Sequence, residues 1–335
     1  MRLLALPPNQ FPRFYRGGAR IDALRGAPAG EDGRPEDWIG STSTSFGHQS
    51  EGLSRLADGR LLRDLVQADP EALLGREHVA RWGAEPALLV KLLDAGERLP
   101  VHYHPGRSFA REHLGLPFGK TEAWIILEAE PGAAVHVGLR EPVDAATPHG
   151  WVERQDPEEM LAAMNRVGVA AGDTVLVPAG TPHAIGEGIL LLELQEPTDL
   201  SVLLEWERFG VDSGSAHLGL GWEAALGAMQ RGRTDARELT ASGDGASLLP
   251  AAADPYFRAQ RVRPEGGAVE LEPSFAVVVA TAGEGRLRTE RGDGLELRRG
   301  ATALVPFAAG TTTVEGPVEV IRCLPPAATT EEGSW

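Results

Sequence analysis

Gly172-Asp173-Thr174-Val175-Leu176-Val177-Pro178-Ala179-Gly180-Thr181-Pro182-His183 is the stretch from which the rest of the chain can be read. An apolar run bounded by glycine and proline is a buried strand between two turns, because glycine permits the turn and proline cannot extend the ladder. Gly300-Ala301-Thr302-Ala303-Leu304-Val305-Pro306 repeats the pattern, with Thr311-Thr312-Thr313 following where the first copy continues to His183. Two copies imply an internal repeat of β units, one carrying a histidine and one without. Working outward, residues 88–93, 99–104, 122–127, 134–138, 173–177, 188–195 and 200–206 read as strands around the first copy. Residues 257–262, 268–271, 275–280, 285–289, 301–306 and 318–324 do so around the second. Short strands at this spacing, in a chain with 41 Gly and 25 Pro, suggest a barrel or sandwich rather than long helices.

Helical signals are few. Leu61, Leu62, Leu65 and Val66 recur at helical spacing in residues 60–82, and Asp69-Pro70-Glu71 adds an N-cap with proline at the first helical position. Asp156-Pro157-Glu158-Glu159 caps a second short helix within residues 156–166, and residues 222–229 form a third within a Gly- and Ala-rich connector. Residues 1–60 read as strand and loop. The expected division is therefore 1–209, 210–247 and 248–335.

Composition narrows the function. Forty-eight acids against 32 bases leave a formal charge of −16, which repels phosphate backbones and anionic lipid and argues against nucleic-acid or membrane partners. The single Cys323 excludes an internal disulfide framework and any Cys/Cys metal site, and reads as a small hydrophobe in a strand. The apolar start Met1–Pro8 is too short for a signal segment, and no run of 18 apolar residues exists, so a cytoplasmic location is expected.

Chemistry concentrates in three segments. In Val101-His102-Tyr103-His104-Pro105 the two histidines are two apart on a strand and point the same way, a chelating pair for a borderline metal such as zinc. In Gly119-Lys120-Thr121-Glu122-Ala123-Trp124 a carboxylate enters an apolar strand, where it needs a cation as partner, and Trp124 follows into the same interior. The third is the opening stretch, ending in His183. The remaining histidines, His48, His78, His113, His136, His149 and His217, have no partner at ligand spacing, and Gly283-Glu284-Gly285 reads as a turn.

These motifs resemble those of the cupin superfamily, and within it the class I mannose-6-phosphate isomerase family. The resemblance rests on the His-Pro pair at 104–105, an inserted loop, the run Gly119–Trp124 and residues 177–195, more weakly on residues 35–46, and past residue 250 only on a degenerate second barrel. It implies two cupin-type jelly rolls with a few short helices. It carries the metal ligands onto His104, Glu122 and His183, with His102 at a position the family usually fills with glutamine. The implied ion is one divalent metal, zinc first, with iron, manganese or nickel also compatible. Lys120, Glu193 and Asp199 become candidate catalytic groups, and Arg107, Arg111, Lys120 and Arg208 candidate ligands of a substrate phosphate. The implied activity is aldose–ketose isomerisation of a sugar phosphate, mannose 6-phosphate to fructose 6-phosphate. The family's arginine four residues after Asp199 is here Leu203, which keeps open another metal-dependent cupin enzyme, an oxygenase or sugar-modifying one, or a sugar-binding protein without catalysis.

Overall fold

A computed structural model describes residues 1–28, 30, 32–242 and 245–327. It is mainly antiparallel β, arranged as stacked layers. A seven-stranded sheet contains, in order, Thr240–Ala241, Thr174–Val177, Glu122–Ala129, Ile189–Gln195, Leu89–Ala95, Glu36–Ile39 and Gln10–Phe11. A five-stranded sheet contains Val202–Leu203, His102–Tyr103, His183–Ile185, Ala134–Leu139 and Met164–Gly168. Their facing sides bury Leu93, Ile126, Val175, Leu191, Val135, Val137 and Ile185 in one cluster, which makes them the two walls of a jelly roll.

The period of two along each strand decides what lies on either side. Val90, Leu92, Ile125, Leu192 and Leu194 point out of the first jelly roll and pack on Val277, Val279, Leu304, Ile321 and Cys323 of the C-terminal unit. Leu62, Val66, Leu73 and Leu74, from the helices Leu62–Ala68 and Pro70–Leu74, fill the same seam. On the opposite side, Val101, Tyr103 and Val202 pack against Trp151, Val152, Met160 and Leu226 from short helices.

The C-terminal unit is an eight-stranded sheet folded over an aliphatic interior that includes Val278, Leu287, Val314 and Val320. The two glycine–strand–proline stretches occupy matching places: Thr174–Val177 and Thr302–Val305 are both fully buried strands, each entered through a left-handed glycine, Gly172 at φ +96° and Gly300 at φ +85°.

Several expectations change. Residues 275–280 and 285–289 are not two strands with a turn between them but one strand, Ala276–Thr289. A register shift between Ala280 and Ala282 bends it from one set of partners to another. The glycines read as a turn serve close approach instead, since a Cβ on Gly285 would stand 2.2 Å from the Glu315 carbonyl oxygen. The helix Ala146–Arg154 was not foreseen; Pro148 and Gly150 hide it, and burial of Trp151 and Val152 stabilises it. The boundary drawn at 209 is crossed in both directions. Leu4–Ala5 pairs with Leu304 and Ala303 of the C-terminal sheet, and Thr240–Ala241 of the connector joins the seven-stranded sheet.

Candidate metal centre and its cavity

His102 and His104 flank Tyr103, whose side chain goes to the helical side and donates its hydroxyl hydrogen to the Ala225 carbonyl. The two imidazoles therefore face the jelly-roll interior. Antiparallel pairing places His183 directly opposite His102. The ring centroids of the three lie 4.1 to 4.9 Å apart. Each Nδ1 is within 2.9 Å of a backbone carbonyl: Pro100 for His102, Leu200 for His104 and Thr181 for His183. A carbonyl only accepts, so each Nδ1 bears the proton and each Nε2 keeps its lone pair. The ligand atoms of the three histidines all lie within 4.8 Å of one another.

Glu122 completes the set from the facing sheet. Its Oε2 is 3.0 Å from His104 Nε2 and its Oε1 is 3.4 Å from His183 Nε2. Trp124 Nε1 donates to Oε1 at 3.0 Å, the same-face packing expected from the sequence. Glu122 Oε2 and His183 Nε2 are buried with no hydrogen-bond partner. Burial lowers the pKa of His183, and with Lys120 nearby it pulls His104 down to about 3; His102 is held well below its ordinary value by burial and the neighbouring imidazoles. All three are thus neutral, the ligating form. Three neutral nitrogens and one carboxylate, buried and converging with orphaned lone pairs, fit a divalent cation.

The centre forms part of the wall of a cavity of about 300 Å³. A row across the seven-stranded sheet builds the floor: Trp38 pairs with Lys91, Lys91 with Glu193, and Glu193 with Trp124. Lys91 Nζ lies 3.4 Å from Glu36 and 3.5 Å from Glu193, over the Trp38 ring. Burial pushes Glu193 up to about 7, with Glu122 adding to the shift and Lys91 and Lys120 opposing it; its Oε1 has no hydrogen-bond partner.

Asp199 has a different setting. Although burial works the other way, Arg13 and Lys91 hold its carboxyl below the ordinary value. It accepts from Arg13 at 3.2 and 3.3 Å, from the Ser45 hydroxyl at 3.2 Å and from the Phe46 backbone N–H at 3.3 Å, and so ties the N-terminal segment to the cavity mouth.

Lys120 stands at the centre, its Nζ 3.0 Å from His104 Nε2 and 3.2 Å from Glu122 Oε2. It is carried there by Gly119, where a Cβ would strike the Gly106–Arg107 backbone at 2.6 to 2.7 Å.

The cavity does not gather every expected residue. Arg107, Arg111 and Arg208 are absent from its lining. Arg107 Nε donates to Glu196 at 2.5 Å and its guanidinium lies against Trp82 and Tyr256, on the C-terminal side. Arg111 is exposed on the turn Ala110–Leu114. Arg208 is half exposed beside Glu97 and leans on Phe209. Leu203 does line the cavity, as an apolar wall.

Arg13, Glu36 and Lys91 were missed by the sequence reading. Lys91 had a signal, a lone cation within Leu88-Leu89-Val90-Lys91-Leu92-Leu93. Arg13 and Glu36 had none, because Arg13 lies beyond the strand Gln10–Phe11 and only the path of the N-terminal segment brings it to Glu36.

No family model matches the chain. A mannose-6-phosphate isomerase of Bacillus subtilis is 30% identical over 243 residues, covering 70% of this chain and 73% of the relative. The chain belongs to the mannose-6-phosphate isomerase family. Its fold also matches crystal structures of that family. The enzyme from Bacillus subtilis superposes with a TM-score of 0.77 over 96% of this chain and 99% of its own, at 22% identity. A mannose 6-phosphate isomerase crystallised with zinc and yttrium gives 0.73 over 98% and 100%, at 17% identity. Among the described residues, no helix is long and apolar enough to cross a membrane.

Proposed function

We propose that this family member is a metal-dependent aldose–ketose isomerase interconverting mannose 6-phosphate and fructose 6-phosphate. The observation that carries the reading is the convergence of three Nε2 lone pairs and Glu122 beside a pKa-raised Glu193 in one cavity.

His102, His104, His183 and Glu122 would hold the ion, and zinc suits a nitrogen-rich, four-donor set and is present in a family structure. A bound divalent ion supplies Lewis acidity toward the oxygens on C1 and C2 of the open-chain sugar. Glu193 is the group that carries the proton. Ionised, it takes the proton from the carbon bearing the hydroxyl, and as the acid it returns that proton to the neighbouring carbon, while the hydroxyl proton passes from one oxygen to the other. A carboxyl near 7 is matched to both halves of that exchange at neutral pH. Lys120 stands by the ligand atoms as a fixed cation and hydrogen-bond donor to developing oxyanion charge.

Asp199 positions rather than transfers, since its oxygens are engaged by Arg13, Ser45 and Phe46. Arg13 is the one guanidinium among the described residues lining the cavity, and it replaces Arg107, Arg111 and Arg208 as the candidate contact for the anionic end of the substrate. The apolar surfaces of Leu93, Leu99, Ile185 and Leu203 exclude water from the exchange.

The test is a coupled assay of purified protein with mannose 6-phosphate. The expected result is turnover that chelation abolishes and added zinc restores. Stoichiometric metal with no turnover would reject the reading.

A further inference from the structure

Most buried basic side chains of this acidic chain sit against carboxylates, but four exposed arginines do not. Arg140, Arg166, Arg233 and Arg237 line one open cavity of about 700 Å³ together with His136 and Asn165. Among the described residues, none of the four forms an ion pair; Arg140 and Arg166 reach only the carbonyls of Ala162 and Gly132. The single carboxylate on the lining, Asp235, accepts the Arg237 backbone N–H at 3.0 Å. Four guanidiniums against one carboxylate concentrate positive charge on this face, in a chain whose formal charge is −16 and whose surface offers acids in excess.

The arrangement is built. Strand Met164–Gly168 is the edge of the five-stranded sheet, and Arg166 pairs in register with His136. The connector is fastened alongside: Thr234 N–H donates to the Leu139 carbonyl at 2.8 Å, and Asn165 Nδ2 donates to the carbonyls of Val137, Gly138 and Thr234 at 3.1 to 3.2 Å. Gly138 sits at φ +63°, and Thr234 occupies the space where its Cβ would stand, 2.4 Å away. Arg233 and Arg237 thereby border the same cavity as Arg140 and Arg166. His136 also lines the cavity, and its Nδ1 is buried with no hydrogen-bond partner.

We propose that this cavity is a second ligand site, separate from the metal centre, for a small anion carrying two or more phosphates. Guanidinium forks from three segments suit phosphate oxygens, and the volume exceeds the needs of a single phosphate. The strand Ala134–Leu139 that carries His136 also pairs with His183–Ile185, so the site lies one strand from the metal cluster. The proposal does not depend on the isomerase reading.

Calorimetric titration of the metal-loaded full chain with pyrophosphate, ATP and orthophosphate tests it. Pyrophosphate is expected to bind saturably, one per chain, more weakly as salt is raised, and orthophosphate about tenfold less tightly or worse. The doubly reversed variant R166E/R237E, whose sites are exposed and whose thermal unfolding checks its fold, is expected to weaken pyrophosphate and ATP alike by about tenfold or more. Glu193→Gln is expected to leave that binding intact. The ratio of ATP to pyrophosphate affinity shows whether a nucleoside adds to the phosphates. Absence of saturable binding, equal binding of orthophosphate, undiminished binding by R166E/R237E, or loss in the Glu193→Gln variant would each overturn the proposal.

Discussion

The two halves of this chain use one strand design for opposite ends. Both enter a buried strand through a left-handed glycine and leave it at a proline, Gly172 to Pro178 and Gly300 to Pro306. After the first proline the chain delivers His183 into the interior, opposite His102; after the second it delivers Thr312–Glu315 into a wall whose core holds Val314 and Leu287. The first interior keeps a polar end of about 300 Å³, whereas the second is closed by aliphatic side chains. The backbone frame does not decide chemistry. The residue types at inward positions do, and each half sacrifices what the other keeps: ionisable groups in a dry interior cost stability, and aliphatic packing leaves no room for a ligand.

Substitutions should therefore separate activity from stability between the halves. The largest effect is expected from His183→Ala, which should lose metal and reduce turnover by well over about 100-fold, since even residues that merely support metal ligands cost 10- to 100-fold. Thr312→Ala, a buried strand position of the second half, should leave turnover within about twofold. Metal content and kcat measured on both variants check this pair. Glu193→Gln should lower kcat by about 10²- to 10⁴-fold while metal content stays at the wild-type level. In the second half the order reverses. Leu287→Ala should destabilise the fold by about 2–5 kcal/mol in urea unfolding, with kcat unchanged at 25 °C.

A smaller effect belongs to Glu85, on the approach to the strand Leu89–Ala95. Burial raises its carboxyl from 4.5 to about 7, against hydrogen bonds from Ala87 N–H and the Thr42 hydroxyl. A raised folded-state value means that the folded protein holds a proton the unfolded chain releases. The contribution of Glu85 to stability should thus fall as pH rises from 4.5 through 7, by up to about 3 kcal/mol, while the buried neutral histidines contribute in the opposite sense. Urea unfolding at pH 5 and pH 8 should show the wild type losing stability relative to Glu85→Gln as pH rises. The smallest effect is expected from Arg111→Ala and Arg208→Ala, whose KM for the sugar phosphate should stay within about twofold because neither side chain lines the cavity.

What the sequence disclosed follows the range of its signals. Alternation along a strand is local, so His102 and His104 could be placed together, and Glu122 could be recognised as a carboxylate out of place in an apolar run. Helix caps are local too, and Asp69 and Asp156 mark real starts, each accepting a backbone N–H in the first turn. Register between strands is not local. Lys91 stands beside Glu193 only because two strands pair at that offset, and Arg13 reaches Asp199 only because the N-terminal segment crosses the cavity mouth. The same reason misplaced Arg107 and Arg208. Each lies near the centre along the chain, yet Glu196 turns one toward the C-terminal unit and the short helix Glu207–Phe209 leaves the other outside. Gly283 and Gly285 misled for a third reason: glycine marks a turn and a close strand crossing with the same letter.

Anomalous diffraction from crystals of the metal-loaded protein measures the central claim most directly. A single peak per chain is expected, with the Nε2 atoms of His102, His104 and His183 and a carboxylate oxygen of Glu122 about 2.0–2.2 Å from it if the ion is zinc. A loaded crystal with no peak at these four side chains, or with the ion bound by other residues, would contradict the account.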